Sequence, residues 1–478
     1  MAGKQPPKPA NVTIIHPDLG IGGAERLIID VALALQNTGH IVTVYTSHRD
    51  KSHCFEEARD GTLDVRVRGE KIFPPSIRGR FVVLLAILRQ VCLAFELLGE
   101  AARTKNEDAD QVFIVDQVPA CVPLLKILGP RWFASKGKQR ILFYCHFPDQ
   151  LLARRDGGSA LMQLLKELYR YPFDWFEGWA MSASDRVVAN SNFTKSVVKD
   201  VFGAERLGDV RVVYPCVDTA VKEKGEKEEG AIWEGKKILL SVNRFERKKD
   251  LALAIRAYHG LRDKRKGVRL VIAGGYDPRI TENVQYHKEL DALATSLGLQ
   301  TATSKTVPSA LSIPSSIDVL FLPSVPSAFR DILLAKSSLL LYTPVNEHFG
   351  IVPIEAMRAG IPVLASNTGG PLETIVEGKT GWLRYAGDVP AWTRVIEEVL
   401  YEMSADELER MSVAAKERVE AEFSLRAMGE KLEEEIGEML STERNQFNGG
   451  QQALLLLGLL GLGIAVLVAS VLAWVGFV

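Results

Sequence analysis

Several features are scarce in this 478-residue sequence, and their scarcity excludes broad classes of protein. Neither sign of charge is in surplus: 58 Lys and Arg oppose 59 Asp and Glu, so no overall field favours nucleic acid or an acidic membrane. No C-x-x-C spacing occurs among the five cysteines, which are Cys54, Cys92, Cys121, Cys145 and Cys216. This scatter argues for reduced thiols and against a disulfide scaffold or a zinc site. We therefore expect no nucleic-acid partner and no bound metal.

The first ten residues, MAGKQPPKPA, lack the apolar run of a secretory signal, and a strand-like segment follows them directly. We therefore expect the globular part to stay in the cytosol. That part is an ordinary packed protein by composition, because 47% of the residues are hydrophobic and 24% are charged. Its length suits two or three domains.

Long runs without a charged residue are rare as well. The clearest such run is residues 453–478, which carry no charge over 26 positions. As a helix this segment would reach about 39 Å at ~1.5 Å per residue, enough to cross a bilayer once. We predict that it is a transmembrane tail. Arg444 precedes it and no Lys or Arg follows it, which favours a cytosolic body.

A second apolar segment, 81–100, is interrupted by Arg89, Gln90 and Glu96. These polar residues make a complete membrane span improbable. Two interpretations stay open: a helix that covers a sheet, and an amphipathic helix that lies among lipid headgroups.

From Asn11 onward, β-rich runs such as VTIIH and QVFIVDQ alternate with helical patterns, which indicates parallel sheets covered by helices. The charged stretch VKEKGEKEEG (221–230) interrupts this alternation of strands and helices, and we predict that it is a solvated linker. The alternation begins again at KILLSVNRF. We predict two doubly wound α/β domains, 11–220 and 236–440. Ligands should bind outside the carboxyl ends of their strands.

The first predicted strand leads into a glycine loop that opens a helix, with Gly20, Gly22 and Gly23. Such glycines let backbone amides approach an anion at the helix N-terminus, although a plain strand-to-helix turn would have the same pattern. A dinucleotide fingerprint requires a third spaced glycine where Glu25 stands, so an NAD-dependent enzyme is disfavoured.

Two carboxylates, Glu347 and Glu355, would lie on either side of an anion at the N-terminus of a predicted short helix, which begins near Pro353 and ends at Gly360. Their spacing suits a nucleotide sugar, with Glu347 on sugar hydroxyls and Glu355 on ribose, better than a glycosidase pair at one bond. A solvated helix face is the alternative. The following Gly369-Gly370 offers a second turn that could face a phosphate.

Cations at another strand end could neutralise a departing nucleoside diphosphate, and we select Arg244 and Lys249 for this role. A solvated basic turn is the alternative. His146 ends a strand of the first domain, which favours a function over a structural role.

Together, GIGGAE (20–25), Arg244 with Lys249, E-x7-E from Glu347 to Glu355, and Gly369-Gly370 resemble the retaining glycosyltransferases of family 4. The resemblance covers roughly residues 11–440. It implies the GT-B architecture, an α/β fold in which two Rossmann-like domains face a cleft. More narrowly, FYCHFPDQLL, SVNRFERKKDL and NEHFGIVPIEAM are similar to the mannosyltransferases of the asparagine-linked glycosylation pathway.

This narrower resemblance implies α-1,3 and then α-1,6 transfer of mannose from GDP-mannose to dolichol diphosphate-linked Man1GlcNAc2, at the cytosolic face of the endoplasmic reticulum membrane. Its implied partners are the donor, the lipid-linked acceptor, membrane lipid and other glycosyltransferases of the pathway. No cofactor is implied. The implied catalytic residues are Glu347, His146, Lys249 and Arg244, and the implied donor-binding residues are Gly22, Gly23, Arg244, Lys249, Glu347, Phe349, Gly350, Ile351 and Glu355.

Two other functions stay open at this stage. One is an anchored transferase that moves N-acetylglucosamine from UDP to phosphatidylinositol. The other is a membrane adaptor without catalysis.

Overall fold

The computed structural model describes residues 9–69, 72–77, 81–103, 109–132, 137–153, 160–219, 232–233, 235–443 and 458. The chain divides into a first unit, Met1–Cys216 with Leu425–Val478, and a second unit, Val217–Ser424. The predicted linker, 221–230, lies outside the described residues, and so does the predicted transmembrane tail, 453–478, apart from Gly458.

The first unit is built on a parallel seven-stranded sheet of order β3-β2-β1-β4-β5-β6-β7. Its strands are β1 (Asn11–Leu19), β2 (Ile41–Arg49), β3 (Asp64–Val67), β4 (Gln111–Asp116), β5 (Gln139–Cys145), β6 (Arg186–Ala189) and β7 (Arg211–Val212). Its helices are α1 (Gly23–Asn37), α2 (Val82–Arg103), α3 (Val122–Trp132), α4 (Asp149–Leu152), α5 (Ala160–Ser182), α6 (Asn192–Phe202), α7 (Ala204–Leu207) and α16 (Leu425–Ser441).

Every residue of the central strands β4 and β5 is buried. Helices therefore cover both faces of the sheet, as continuous apolar runs in parallel strands require. Helix α16 packs on α1, where Gly429 lies against Thr38, and it also contacts β5. The predicted second domain, 236–440, includes residues 425–440, whereas these contacts join them to the first unit.

The second unit contains another parallel seven-stranded sheet, of order β10-β11-β9-β8-β12-β13-β14. Its strands are β8 (Lys237–Val242), β9 (Val268–Gly274), β10 (Thr301–Thr303), β11 (Val319–Pro323), β12 (Leu339–Tyr342), β13 (Val363–Ser366) and β14 (Gly381–Arg384). Its helices are α8 (Leu251–Gly260), α9 (Thr281–Ser296), α10 (Val307–Leu311), α11 (Ser327–Lys336), α12 (Ile351–Arg358), α13 (Pro371–Thr374), α14 (Val389–Glu397) and α15 (Ala405–Glu422).

The order of each sheet reverses at one pair of neighbouring strands. In the first unit this pair is β1 and β4, and in the second unit it is β8 and β12. Loops at the carboxyl ends of such a pair diverge to opposite sides and leave a crevice, which is where doubly wound sheets bind ligands. The prediction of two parallel, doubly wound sheets is confirmed.

The apolar segment 81–100 forms most of α2. Among the described residues, α2 alone is long and apolar enough to cross a membrane, over Val82–Ala101, and half of that stretch is buried within the unit. Two of its polar interruptions are paired. Arg89 binds the Asp18 carboxylate through two nitrogens, at 2.7 and 2.9 Å. Gln90 accepts the Cys121 amide at 3.0 Å, so this part of α2 serves as a covering helix.

Candidate functional site

The reversal point of the second sheet brings Lys249 and Glu347 into direct contact. Lys249 closes a 3₁₀ turn, Arg247–Lys249, in the loop after β8, and Glu347 lies in the loop after β12. The Lys249 ammonium donates a hydrogen bond to Glu347 Oε2. The two loops are joined a second time, because the Thr343 hydroxyl donates to the Lys249 carbonyl at 2.6 Å.

The charge of Lys249 keeps Glu347 ionised. Burial alone would raise the pKa of this carboxyl, but the Lys249 charge and hydrogen bond, with smaller help from His348 and Lys248, hold the pKa below its usual 4.5. Burial and the neighbouring Glu347 raise the pKa of the Tyr342 phenol well above its ordinary range. The site therefore presents a carboxylate and an ammonium beside a neutral phenol.

A second segment fixes the backbone of Glu347. Glu347 forms an isolated parallel bridge with Gly369, and the Gly370 amide donates to the Glu347 carbonyl at 2.8 Å. Gly369 has φ of +70°, and a Cβ at Gly370 would collide with the backbone of Phe349. The sequence predicts Gly369-Gly370 as a turn that could face a phosphate. Instead, the Gly370 amide is used to hold the glutamate loop.

Helix α12 starts immediately after this loop. It begins at Ile351, two residues before the predicted start, and Gly350 precedes it with φ of +90°. The Phe349 side chain is buried, with its ring centroid 5.9 Å from that of Phe423. The predicted donor contact of Phe349 can therefore come only from its backbone. The amides at the start of α12 present partial positive charge beside Glu347.

Glu355 lies within α12 and is nearly enclosed. Its Oε1 is 3.1 Å from an Arg330 guanidinium nitrogen, and within the described part of the chain its buried Oε2 accepts no hydrogen bond. Burial raises the pKa of Glu355, and the Arg330 charge opposes that rise. A buried carboxylate oxygen without a hydrogen-bond donor is unusual in a folded protein, and this marks Glu355 as a candidate functional residue.

Arg244 leaves the same strand, β8, as Lys249, but its side chain is 63% exposed. Its charged end is 3.9 Å from Glu246, too far for a hydrogen bond. The structure therefore joins Lys249 and Glu347 but does not bring Arg244 to them. An exposed, weakly held guanidinium can still turn toward an anion.

In the first unit, the glycine loop begins α1 as predicted. Gly22 is the extended residue before the helix, and the helix begins at Gly23. The carboxylate of Glu25 folds back and occupies the space where a Cβ of Gly22 would lie. A carboxylate of the chain itself thus lies at this helix N-terminus, where negative charge is favoured.

His146 follows β5 and belongs to a buried network that sequence reasoning missed. Its Nε2 is 2.9 Å from Asp116 Oδ2, and His16 Nδ1 is 2.9 Å from both oxygens of the same carboxylate. Asp116 ends β4 and His16 lies in β1, the two strands at the reversal point. A polar residue that ends an otherwise apolar run was the available signal, since VTIIH and QVFIVD both have one.

No group of three or more His, Cys, Asp or Glu side chains in the described ranges is arranged to hold a metal ion. None of the five cysteines, which all lie in the described ranges, forms a disulfide bond. The absence of a metal requirement stays a prediction.

The fold is that of known GT-B glycosyltransferases. The sucrose-phosphate synthase of Thermosynechococcus elongatus superposes with a TM-score of 0.65 at 16% identity, covering 91% of this chain and 100% of that one. The catalytic domain of starch synthase IV from Arabidopsis thaliana, bound to ADP and acarbose, gives 0.66 at 14% identity, with coverage of 91% and 100%. At such identities the likeness establishes the architecture.

Residues 21–221 match the family model described as Glycosyltransferase Family 4, and residues 222–418 match the one described as Glycosyl transferases group 1. An alpha-1,3/1,6-mannosyltransferase of Neurospora crassa, alg-2, is 49% identical over 440 residues, which are 90% of each chain. ALG2 of Rhizomucor pusillus is 42% identical, covering 96% of this chain and 98% of its own. ALG2 of Saccharomyces cerevisiae is 43% identical, with coverage of 91% and 86%. The chain therefore belongs to the alpha-1,3/1,6-mannosyltransferase family, a family of GT-B glycosyltransferases, as its motifs predicted.

Proposed function

We propose that this enzyme transfers mannose from GDP-mannose to dolichol diphosphate-linked Man1GlcNAc2, first in α-1,3 and then in α-1,6 linkage, to give Man3GlcNAc2 for N-glycan precursor synthesis. The observation that carries the proposal is the Lys249–Glu347 contact beside the N-terminus of α12. A cation beside a carboxylate could bind the two parts of a nucleotide sugar: the cation would bind the diphosphate, and the carboxylate would bind the sugar hydroxyls. The relatives support the type of linkage by their names.

The donor would be held by its separate parts. The diphosphate would take the charges of Lys249 and Arg244 together with the amides of Gly350 and Ile351. Glu347 would accept hydrogen bonds from mannose hydroxyls, and the Glu355 carboxylate, whose side chain is 16% exposed, would accept them from ribose.

The chemistry would retain the anomeric configuration without an enzymic nucleophile. The bond between mannose C1 and the phosphate oxygen breaks, and its electron pair leaves with GDP. The acceptor hydroxyl forms the new C1–O bond on the same face and passes its proton to the departing phosphate oxygen. Lys249 stabilises the negative charge that develops on the departing phosphate. A fixed cation at this position lowers the barrier to breaking the C1–O bond. Glu347, already paired with Lys249, orients the sugar.

The proposed location is the endoplasmic reticulum membrane, with the catalytic units in the cytosol. The uncharged stretch 453–478 would anchor the enzyme. A dolichol-linked acceptor stays in the bilayer, so an anchored enzyme would find it by diffusion in the membrane plane.

The test is mass analysis of the lipid-linked oligosaccharide after incubating the detergent-solubilised full chain with GDP-mannose and the one-mannose acceptor. We expect a gain of two hexoses. Glu347→Ala and Lys249→Ala should abolish the gain while the protein stays folded. Lys264→Ala is the matched control, because Lys264 forms an exposed ion pair with Glu397 at 3.1 Å. Unchanged turnover in the two site variants would contradict the proposal.

Nucleotide protection from thermal unfolding separates the alternatives. Stabilisation by GDP and not by UDP supports the mannosyltransferase, whereas the reverse would favour transfer of N-acetylglucosamine. Binding of neither nucleotide would favour the adaptor.

A further inference from the structure

Helix α5 carries apolar side chains on two opposite faces. One face, which includes Phe173 and Ala180, is buried in the core of the first unit. On the other face Leu164, Tyr171 and Trp175 are all exposed, Tyr171 to 73%. At 3.6 residues per turn these three side chains fall within about 40° of one another and extend over ~16 Å, so they form one line, the α5 stripe. A helix that covers a core normally has polar residues on its outer face, so the α5 stripe calls for an explanation.

The short helix α4 brings two more exposed apolar side chains next to α5. These are Leu151 and Leu152, both more than half exposed. Two hydrogen bonds tie α4 to α5: the Asp149 carboxylate accepts from Arg170 at 2.8 Å, and the Asp149 amide donates to Glu177 at 2.7 Å. Single exposed apolar residues are common on proteins, but a group of them on adjoining elements marks an interaction surface.

The aromatic residues of the stripe favour lipid as the partner. The Trp175 indole stacks on Trp179, with ring centroids 6.1 Å apart and the ring planes 4° from parallel. Trp179 is buried against Leu124 and Ala180, so it fixes Trp175 with one face outward. Trp and Tyr are enriched at the membrane–water interface, because the ring enters the apolar boundary while its polar group stays hydrated.

The uncharged stretch 453–478 passes beside this part of α5. A Cβ at Gly458 would lie 3.6 Å from the ring of Phe176, the residue after Trp175. In the proposed membrane location this stretch crosses the bilayer, and Gly458 lies about 8 Å along a helix from its start. The headgroup region on each side of the hydrocarbon core is roughly 5–8 Å thick. Helix α5 would therefore meet the membrane surface at the point where the chain enters it.

We propose that the α5 stripe, together with Leu151 and Leu152, inserts into the headgroup region of a phospholipid bilayer and forms a second membrane contact beside the predicted transmembrane tail. The inference rests on the proposed membrane location and not on the identity of donor or acceptor. Arg170, the residue before Tyr171, is buried and paired with Asp149 and Asp174. The contact therefore comes from apolar and aromatic insertion, and it forms on phosphatidylcholine without anionic lipid.

The test uses the full chain in phosphatidylcholine nanodiscs, with a nitrobenzoxadiazole fluorophore attached to Tyr171→Cys or, separately, to Leu164→Cys. Both positions are exposed, so the labels do not disturb the core. Four of the five native cysteines are buried, and the unsubstituted chain labelled in parallel gives the background. Lipid brominated on its acyl chains next to the headgroup should quench about half of the emission at both positions, since interfacial side chains lie within ~5–10 Å of that boundary.

The matched control is the same label at Glu430→Cys, on α16. The Glu430 side chain is 65% exposed. Helix α16 packs on the face of the first sheet that contains Val112, whereas α5 packs on the face that contains Phe113, the next residue of β4. Opposite faces of one sheet cannot both lie on the same flat bilayer, so the label on Glu430→Cys should not be quenched.

Unquenched labels at both stripe positions in a folded, membrane-integrated chain overturn the inference. A blue-shifted but unquenched emission also overturns it, because protein, either the tail or a second copy, would then cover the stripe. Equal quenching at Glu430→Cys overturns it as well. Release of the chain from membranes by alkaline carbonate contradicts the proposed anchor instead, and quenching of the two stripe labels by vesicles of the same brominated lipid still decides the inference.

Discussion

The ammonium of Lys249 and the carboxylate of Glu347 are in contact although 98 positions separate them in the chain. Each follows one strand of the pair at which the second sheet reverses its order. In the proposed function this contact would give each residue two tasks, because each would bind a part of the donor and hold the other in place.

This pairing predicts that the two residues act as one unit. Lys249→Met removes the charge that stabilises the leaving group and frees Glu347 to move, so kcat/KM should fall about 10²- to 10³-fold. Glu347→Gln should have a similar effect. The double variant should be little worse than either single one, because residues that act together are not additive. Steady-state kinetics of the three variants would reveal additive losses if the residues acted independently.

Because Gly369 forms a bridge with Glu347, we expect alanine substitution to affect activity differently at Gly369 and at Gly378, two glycines with the same backbone conformation. Gly369 and Gly378 have φ of +70° and +71°, so alanine at either position should cost about 1 kcal/mol of backbone strain. Only at Gly369 would the added Cβ meet the backbone of Glu347, at 2.5 Å, whereas Gly378 has open space.

We therefore expect Gly369→Ala to lose at least tenfold in kcat/KM and Gly378→Ala to keep its activity. Both should lower the thermal midpoint by a few degrees. Equal kinetic losses in the two variants would show that strain alone, and not the displacement of Glu347, governs activity.

The two sheets could be predicted from sequence because their strands are continuous apolar runs. The residues of β4 and β5 are buried throughout, and a buried parallel strand leaves this signature without any knowledge of its neighbours. Pro353 predicts the start of α12 to within two residues. Local chemistry was sufficient for these elements.

Contacts that depend on strand order could not be predicted. The His16–Asp116 pair forms only because β4 lies next to β1, and no local pattern specifies that neighbour. Likewise, α16 has an amphipathic pattern that fits either sheet, and only its packing on α1 assigns it to the first unit. The local pattern of Gly369-Gly370 predicts a turn that could face a phosphate, and it gives no sign that the Gly370 amide binds the Glu347 carbonyl.

Arg330 and Asp331 should act in opposite directions on nucleotide binding through Glu355. The Arg330 charge lowers the pKa of Glu355 against the effect of burial, and the Asp331 charge raises it. In Arg330→Gln the pKa rises further, more of Glu355 is protonated near neutral pH, and GDP affinity should fall about tenfold. The fall should be larger at pH 6 than at pH 8.

Asp331→Asn removes the opposing charge and should leave GDP affinity equal to or above that of the wild type. Calorimetric titration with GDP at both pH values measures the two variants side by side. A loss of the same size in Asp331→Asn would show that the charge on Glu355 does not control binding.

We expect the buried carboxyl of Glu177 to give the folding stability of the protein an unusual pH dependence. It is only 8% exposed on α5 and accepts hydrogen bonds from the amides of Asp149 and Gln150, at 2.7 and 3.2 Å, in the segment that follows His146. Burial raises its pKa from 4.5 to about 7, despite those two donors. Between these values the folded chain binds a proton that the unfolded chain releases, so the stability from Glu177 falls as pH rises from 4.5 to about 7, by up to about 3 kcal/mol.

Glu177→Gln removes this titration. Its thermal midpoint should lie near that of the wild type at pH 5 and above it at pH 8, measured by the same scan in the same detergent. Glu407→Gln is the control of opposite sign, because hydrogen bonds from Ser404 lower the pKa of Glu407 and its contribution is lost as pH falls. If Glu177→Gln lost stability most strongly at pH 8, the ionised carboxylate would be the form that holds the segment after His146, and burial would not be the dominant influence on Glu177.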